Sequence, residues 1–239
     1  MSVVGALFYG FANLLHPRML WLMVWPMLVS LALWAAVALA FWKPLAATLA
    51  ALFQSALSFA RLDFGGATEI AAHVVLALLI VPLVYLTALF ILGVFGMQKM
   101  VEHVAQRSFP ALERRRGGGV AGSVWNGVAA LGGMLLLFVV TLPLWLVPPL
   151  WPLVPLAIFA WVNQKLLRYD ALGEHADRGE MARLFRERRG ALLLLGLLLA
   201  LLAYVPFVGF IGPVVFGLAF IRYLLGALQE SRAAPVAVD

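Results

Sequence analysis

Four histidines, His16, His73, His103 and His175, are the side chains of this 239-residue chain best suited to metal or acid/base chemistry, and they are scattered. None stands in a His-Glu-x-x-His pattern and there is no cysteine. The spacing of a zinc site is therefore missing, and no metal, cofactor or catalytic residue is expected. The densest polar cluster is Glu174-His175 with Asp177 and Glu180. At helical spacing it suits an acid/base or cation site. The preferred reading is a solvated face paired with Arg178 and Arg183 one turn away. Arg114-Arg115-Arg116-Gly117-Gly118-Gly119 has the composition of a phosphate grip without the Gly-Lys-Ser/Thr ending of a P-loop, so a topological anchor followed by a flexible turn is the plainer reading. Arg183, Arg186, Arg188 and Arg189 have the same plain reading, and as a basic vestibule they would also concentrate an anionic solute.

The elements that must carry these groups are apolar. Residues 19–42, 70–98, 117–164 and 190–221 contain no Asp, Glu, Lys or Arg. Each is long enough to enter a bilayer, where a central charge costs about 2.5–3.5 kcal/mol. With 64% hydrophobic residues, against about 45–50% in soluble domains, the chain reads as an all-α integral membrane protein in one domain, 1–239. Its start lacks a basic segment followed by a short apolar run and a small-residue cleavage site, so no leader is expected. The net charge of +6 is read as a marker of the cytoplasmic side, not of nucleic acid.

The bases fix the topology. Only Lys43 and Arg61 lie between the first two apolar runs; the other fifteen of seventeen fall on one side if both termini are cytoplasmic. The third and fourth runs then return to the side they left, as helical hairpins. The third bends at Pro143, Pro148, Pro149, Pro152 and Pro155, with arms over 120–142 and 153–167. The fourth bends across 205–213, where Pro206, Gly209, Gly212 and Pro213 break the helix. Its first arm, 191–205, would reach about 23 Å into a core of about 30 Å, so this hairpin is expected to be re-entrant. Two long transmembrane helices and two proline-broken hairpins leave backbone groups to be covered at membrane depth, which predicts a homo-oligomer. Residues 3–15 are expected to lie in the interface. Residues 45–60 are either a second interfacial helix, with Leu45, Leu49, Leu52, Ala56 and Phe59 on one face, or a continuation of the first span.

Few titratable groups fall within the apolar runs; His73 is one, near the outer edge. Ion-coupled carriers place ionisable groups there, so any solute path should be channel-like and uncoupled. It would use backbone amides at broken helix ends and polar groups such as Thr87, Gln98, Asn126, Thr141, Asn163 and Gln164.

The chain resembles the CysZ-type sulfate permeases and the related etoposide-induced membrane proteins. The likeness rests on Tyr169-Asp170-Ala171-Leu172, His175, Glu180-Met181, Arg183, Arg186 and Arg188-Arg189, then Val205-Pro206 through Gly212-Pro213-Val214. Near the amino terminus, Gly10-Phe11 to Pro17 and Pro26-Met27-Leu28-Val29-Ser30 are similar to the family's opening helix. The resemblance implies an inner-membrane protein with hemi-penetrating hairpins that takes up sulfate for cysteine synthesis, with membrane lipid as its other contact. Two family motifs associated with sulfate depart from the pattern. Leu20-Trp21 stands where the family has a basic pair, and Val94-Phe95-Gly96-Met97-Gln98-Lys99-Met100-Val101-Glu102 keeps only Phe95 and Glu102 of the other. With both motifs altered, an anion site would use Arg18, Lys99 and Arg107 instead, all near the cytoplasmic interface, with Glu102 beside them. A non-transporting scaffold of the same fold, binding lipid or a partner through its basic face, is the alternative.

Overall fold

The computed structural model describes residues 2–59, 66–205 and 208–233, and these contain nine α-helices and no strand. They are α1 (Val3–Leu14), α2 (Pro17–Phe59), α3 (Ala67–Ile91), α4 (Met97–Ser108), α5 (Val120–Val140), α6 (Leu153–Leu172), α7 (Arg178–Glu187), α8 (Arg189–Leu202) and α9 (Val208–Ala233). Five stretches are long and apolar enough to cross a membrane: Pro17–Phe59, Ala67–Ile91, Ala121–Val140, Pro148–Leu172 and Ile211–Ala233. The contacts divide the chain into two compact units, residues 21–94 and residues 1–20 with 95–239.

In the first of these units α2 and α3 run antiparallel. The Trp34 indole N–H donates to Thr87 Oγ1 at 3.0 Å, and the rings of Trp42 and His73 lie 6.0 Å apart. The helix α2 is continuous for 43 residues, about 64 Å of rise, so residues 45–59 extend the first span and do not form a separate interfacial helix, residue 60 lying outside the described residues. Pro44 sits inside it without ending it. A proline removes one amide and leaves one carbonyl free, and the Ala- and Leu-rich sequence after it has the propensity to carry the helix on.

The second unit is built around α9. Val214, Val215, Leu218, Ala219, Phe220, Ile221, Leu224, Leu225 and Leu228 are fully buried, and α1, α4, α6 and α8 pack around them. Small residues permit the close approaches that apolar helices need. A Cβ on Gly10 of α1 would meet the Val215 carbonyl oxygen at 2.8 Å, and one on Gly196 of α8 would collide with the Ala160 carbonyl of α6. The α5–α6 hairpin turns through two short 3-10 segments, Leu142–Leu146 and Pro148–Leu150, so Pro148 and Pro149 lie in the bend. The bend before α9 is shorter than expected. Gly209, Gly212 and Pro213 are inside α9, and Pro206 lies outside the described residues. The carbonyl that Pro213 leaves without an amide is that of Gly209, four residues earlier.

The segment after α4 is pinned, not flexible. Arg116 N–H donates to the Glu174 carbonyl at 3.1 Å, Gly117 N–H to Ala176 at 2.9 Å and Gly118 N–H to Gly173 at 2.8 Å. Arg116 has φ 47, a left-handed conformation that this docking requires. At Gly118 a Cβ would lie 2.5 Å from Gly173 Cα, so only glycine fits. Glu180, expected on a solvated face, is buried and closes a capping box: its N–H donates to Asp177 Oδ1 at 2.8 Å while Asp177 N–H donates to its Oε2 at 3.0 Å. The same carboxylate accepts Arg115 at 2.9 Å and both Nε and Nη2 of Arg232, at 2.9 and 2.8 Å. Arg232 also donates to the His175 and Glu113 carbonyls, and His175 is buried beside it, its pKa pushed down by desolvation. Arg183 turns instead to Ser231 Oγ at 2.6 Å.

The Arg232 guanidinium, outweighing the opposing effect of burial, holds Glu180 down from 4.5 to about 2. A group bound more tightly as its carboxylate stabilises the fold above its unfolded pKa and loses that contribution as pH falls. The shift corresponds to about 3 kcal/mol. Glu180→Gln should therefore lower the thermal midpoint at pH 7 in detergent and flatten the loss of stability that wild type shows between pH 4.5 and 2. A variant that melts like wild type at pH 7 would show that the clamp adds nothing.

Candidate functional site

The turn between α1 and α2 and the amphipathic α4 bring the basic groups of the second unit together. Pro17 opens α2, and the His16 carbonyl accepts the N–H groups of Met19 and Leu20 at 2.8 and 3.0 Å. Arg18 N–H donates to His16 Nδ1 at 3.3 Å. The α4 helix follows a π-helical turn, Leu92–Gly96, a local widening common at functional positions. It buries Met97, Met100, Val101, Val104 and Ala105, with the Met100 thioether set over Gly217 of α9.

His103 lies on the buried side of α4, its ring 4.7 Å from that of His16. Its Nε2 is buried and without a hydrogen-bond partner. Burial lowers its pKa from 6.5, and the positive charges of His16, Arg107 and Arg18 lower it further. Arg18, whose backbone bonds His16, and Arg107, one turn along α4 from His103, are thus brought to the same histidine pair although 89 positions separate them in sequence. Among the described residues no carboxylate pairs with either. Lys99 and Glu102 are placed otherwise. They pair with each other at 3.6 Å on the exposed side of α4, and Gln106 donates to Glu102 at 3.2 Å.

The polar groups expected along the apolar runs are largely occupied. Asn126 donates to the Lys165 carbonyl at 2.9 Å, Thr141 to the Leu137 carbonyl at 2.6 Å, and Gln164 accepts from Arg168 at 3.1 Å. Two apolar clefts, about 300 and 330 Å³, are lined by Phe53, Ala56, Leu57, Ala67, Thr68 and Ala71 and by Phe138, Val139, Leu142 and Trp145, and no basic group lines either. Among the described residues no three His, Asp or Glu side chains gather to hold a metal ion.

Sequence reasoning missed the histidine pair, because residues 16 and 103 share no local pattern. It also missed Arg222, read as the flank of an apolar run. Arg222 lies inside α9, and its guanidinium stacks 4.9 Å from the Tyr9 ring and 4.7 Å from the Phe109 ring. A signal was present: Arg222 is the one charged residue between Arg189 and Glu230.

The cluster makes a pH prediction. His103 binds its proton less readily in the fold than in the unfolded chain, so stability should be present above about pH 6.5 and fall as pH drops below it. His103→Phe keeps a ring against His16 and has no proton to accept. Its melting temperature should vary less between pH 7 and 5 than that of wild type; an equal dependence would place the titrating group elsewhere.

A family model described as "Sulfate transporter CysZ/Etoposide-induced protein 2.4" matches residues 6–213. No curated protein and no solved structure matches the chain. The match begins within α1, includes the whole of α4 and extends into the first turns of α9, so the chain belongs to the sulfate transporter CysZ/etoposide-induced protein 2.4 family.

Proposed function

We propose that this protein is a bacterial-type inner-membrane permease that passes sulfate or a related small oxyanion and supplies sulfur assimilation. The observation that carries the reading is the His16–His103 ring contact, which brings the exposed Arg18, beside His16, and the exposed Arg107, one turn from His103, to one place without a carboxylate partner among the described residues. Two other cations of the same unit, Arg115 and Arg232, are by contrast matched by Glu180. Unmatched guanidinium groups bind oxyanions strongly, because their fork of donors fits two oxygens at once.

The pathway is channel-like and uncoupled, both termini are cytoplasmic, and α8–α9 is a re-entrant hairpin. Supporting this last point, the 14 residues of α8 rise only about 21 Å. The lipid-length helix α5 leaves Val124, Trp125, Val128, Leu131, Leu135 and Leu136 exposed, which suits lipid or the neighbouring subunits of a homo-oligomer. A second reading has its own support. Leu20 and Trp21, in the place of the family's basic pair, are exposed apolar side chains, as a scaffold that binds lipid or a partner would present.

Radiolabelled sulfate uptake into proteoliposomes separates the two. Wild type should show saturable uptake indifferent to an imposed proton gradient, and Arg18→Ala with Arg107→Ala should reduce it at least about tenfold, the loss expected for charge-assisted contacts. Lys99→Ala, whose ammonium is already paired, should change it less than about threefold. No uptake above empty liposomes by folded protein would exclude the permease and leave the scaffold.

A further inference from the structure

Arg222 is the twelfth residue of the 23-residue apolar stretch Ile211–Ala233, its midpoint. A charge there is expensive and is retained where it has work to do. Among the described residues none forms an ion pair with it. Tyr9 and Phe109 present their ring faces to the guanidinium on α1 and at the end of α4. Ring faces attract a cation but accept none of its five N–H donors in a full hydrogen bond. The Arg222 Nη1 is buried and has no hydrogen-bond partner. Beside it stand two hydroxyls, Tyr9 and Ser108, bonded to each other at 3.3 Å, so that one hydroxyl proton of the pair is left to donate elsewhere. The group is thus rich in donors and short of acceptors, the composition of an anion site.

Its position relates it to the Arg18–Arg107 cluster. Helices α1 and α4 are tied at two rungs, His16 to His103 and Tyr9 to Ser108. The first rung carries the outer guanidinium groups. The second, five to seven residues along each segment, adjoins Arg222. Arg107 and Ser108 are consecutive, so the two groups of donors follow one another along a single helix pair. We infer that Arg222, with the Tyr9 and Ser108 hydroxyls, is an inner binding station for the oxyanion, which it receives from Arg18 and Arg107. This rests on the permease reading. A lipid headgroup is a poor occupant, because Arg222 is eleven residues from the end of α9, about 16 Å.

The test uses the full-length protein, with sulfate uptake in proteoliposomes and thermal melting in detergent with and without sulfate. Arg222→Met removes a buried donor that has no partner, so its melting temperature without sulfate should equal or exceed that of wild type. Its uptake should fall at least about tenfold, and the sulfate-induced rise in melting temperature should shrink. Tyr9→Phe keeps the ring under the guanidinium and removes only the hydroxyl. It should cost about threefold in uptake with no loss of stability. Wild-type uptake by Arg222→Met overturns the inference and leaves the permease standing. So does a fall in its basal melting temperature together with wild-type uptake by Tyr9→Phe, since Arg222 would then serve packing. If wild type itself takes up no sulfate, both readings fall.

Discussion

The Glu180 carboxylate is the point to which the α7 end of the second unit is tied. It caps the first turn of α7, takes the fork of Arg232 from the end of α9, and takes Arg115 from the segment that follows α4. Three elements distant in sequence therefore share one charge. Its burial would cost several kcal/mol if any partner were removed, because the remaining charge would be left desolvated. The amide ladder of Arg116, Gly117 and Gly118 on the α6–α7 turn reinforces the tie from the backbone. Fixing residues 113–118 and the end of α9 together also fixes Phe109 and Arg222, which stack on each other between these anchors.

Between the anchors, shape replaces charge. In a membrane, helices gain little by hiding apolar side chains from one another, since lipid is equally apolar, and association depends on close van der Waals contact. The second unit meets that condition by setting Gly10, Gly196 and Gly217 at crossings where a methyl group would collide with a backbone oxygen or with Met100. As a result α9, a helix apolar enough for lipid, is the most buried of the five long apolar stretches. One of its two arginines, Arg222, is held where water does not reach Nη1. The packing that orders the helices is therefore also what deprives Arg222 of solvent.

Much of this architecture was legible in the sequence. The arms expected over 120–142 and 153–167 correspond to α5 and α6, because proline clusters and long apolar runs are local signals. The continuity of α2 through Pro44 was not decidable, since one proline costs a helix a hydrogen bond but not its existence. The turn before α9 was drawn too wide for the same reason, Pro213 being carried within the helix. The candidate site was harder still. Arg115 and Arg232 find Glu180 across 65 and 52 positions, and His16 finds His103 across 87, distances at which periodicity carries no information. Assigning those bases to topology was reasonable, but topology alone does not say which are neutralised.

That distinction is what the structure adds. Arg114, Arg115, Arg188 and Arg232 each contact a carboxylate and Lys99 meets Glu102, so these charges are compensated within the fold. Arg18, Arg107 and Arg222 are not among the described ion pairs, and all three lie where α1, α4 and α9 meet or at the turn beside it. Of the three, Arg222 is half-withdrawn from water while Arg18 and Arg107 are exposed. A half-withdrawn cation that lacks an internal anion raises the free energy of the empty protein, a cost that an arriving anion would offset. The Arg222 guanidinium would also lose little ordering entropy at that moment, because two aromatic rings already hold it. In the proposed permease such a site would favour entry of a small oxyanion. It also limits how tightly the anion is held, since the aromatic faces beside Arg222 stabilise the guanidinium once the anion has left. Moderate, sequential binding of this kind is what conduction through a narrow path requires.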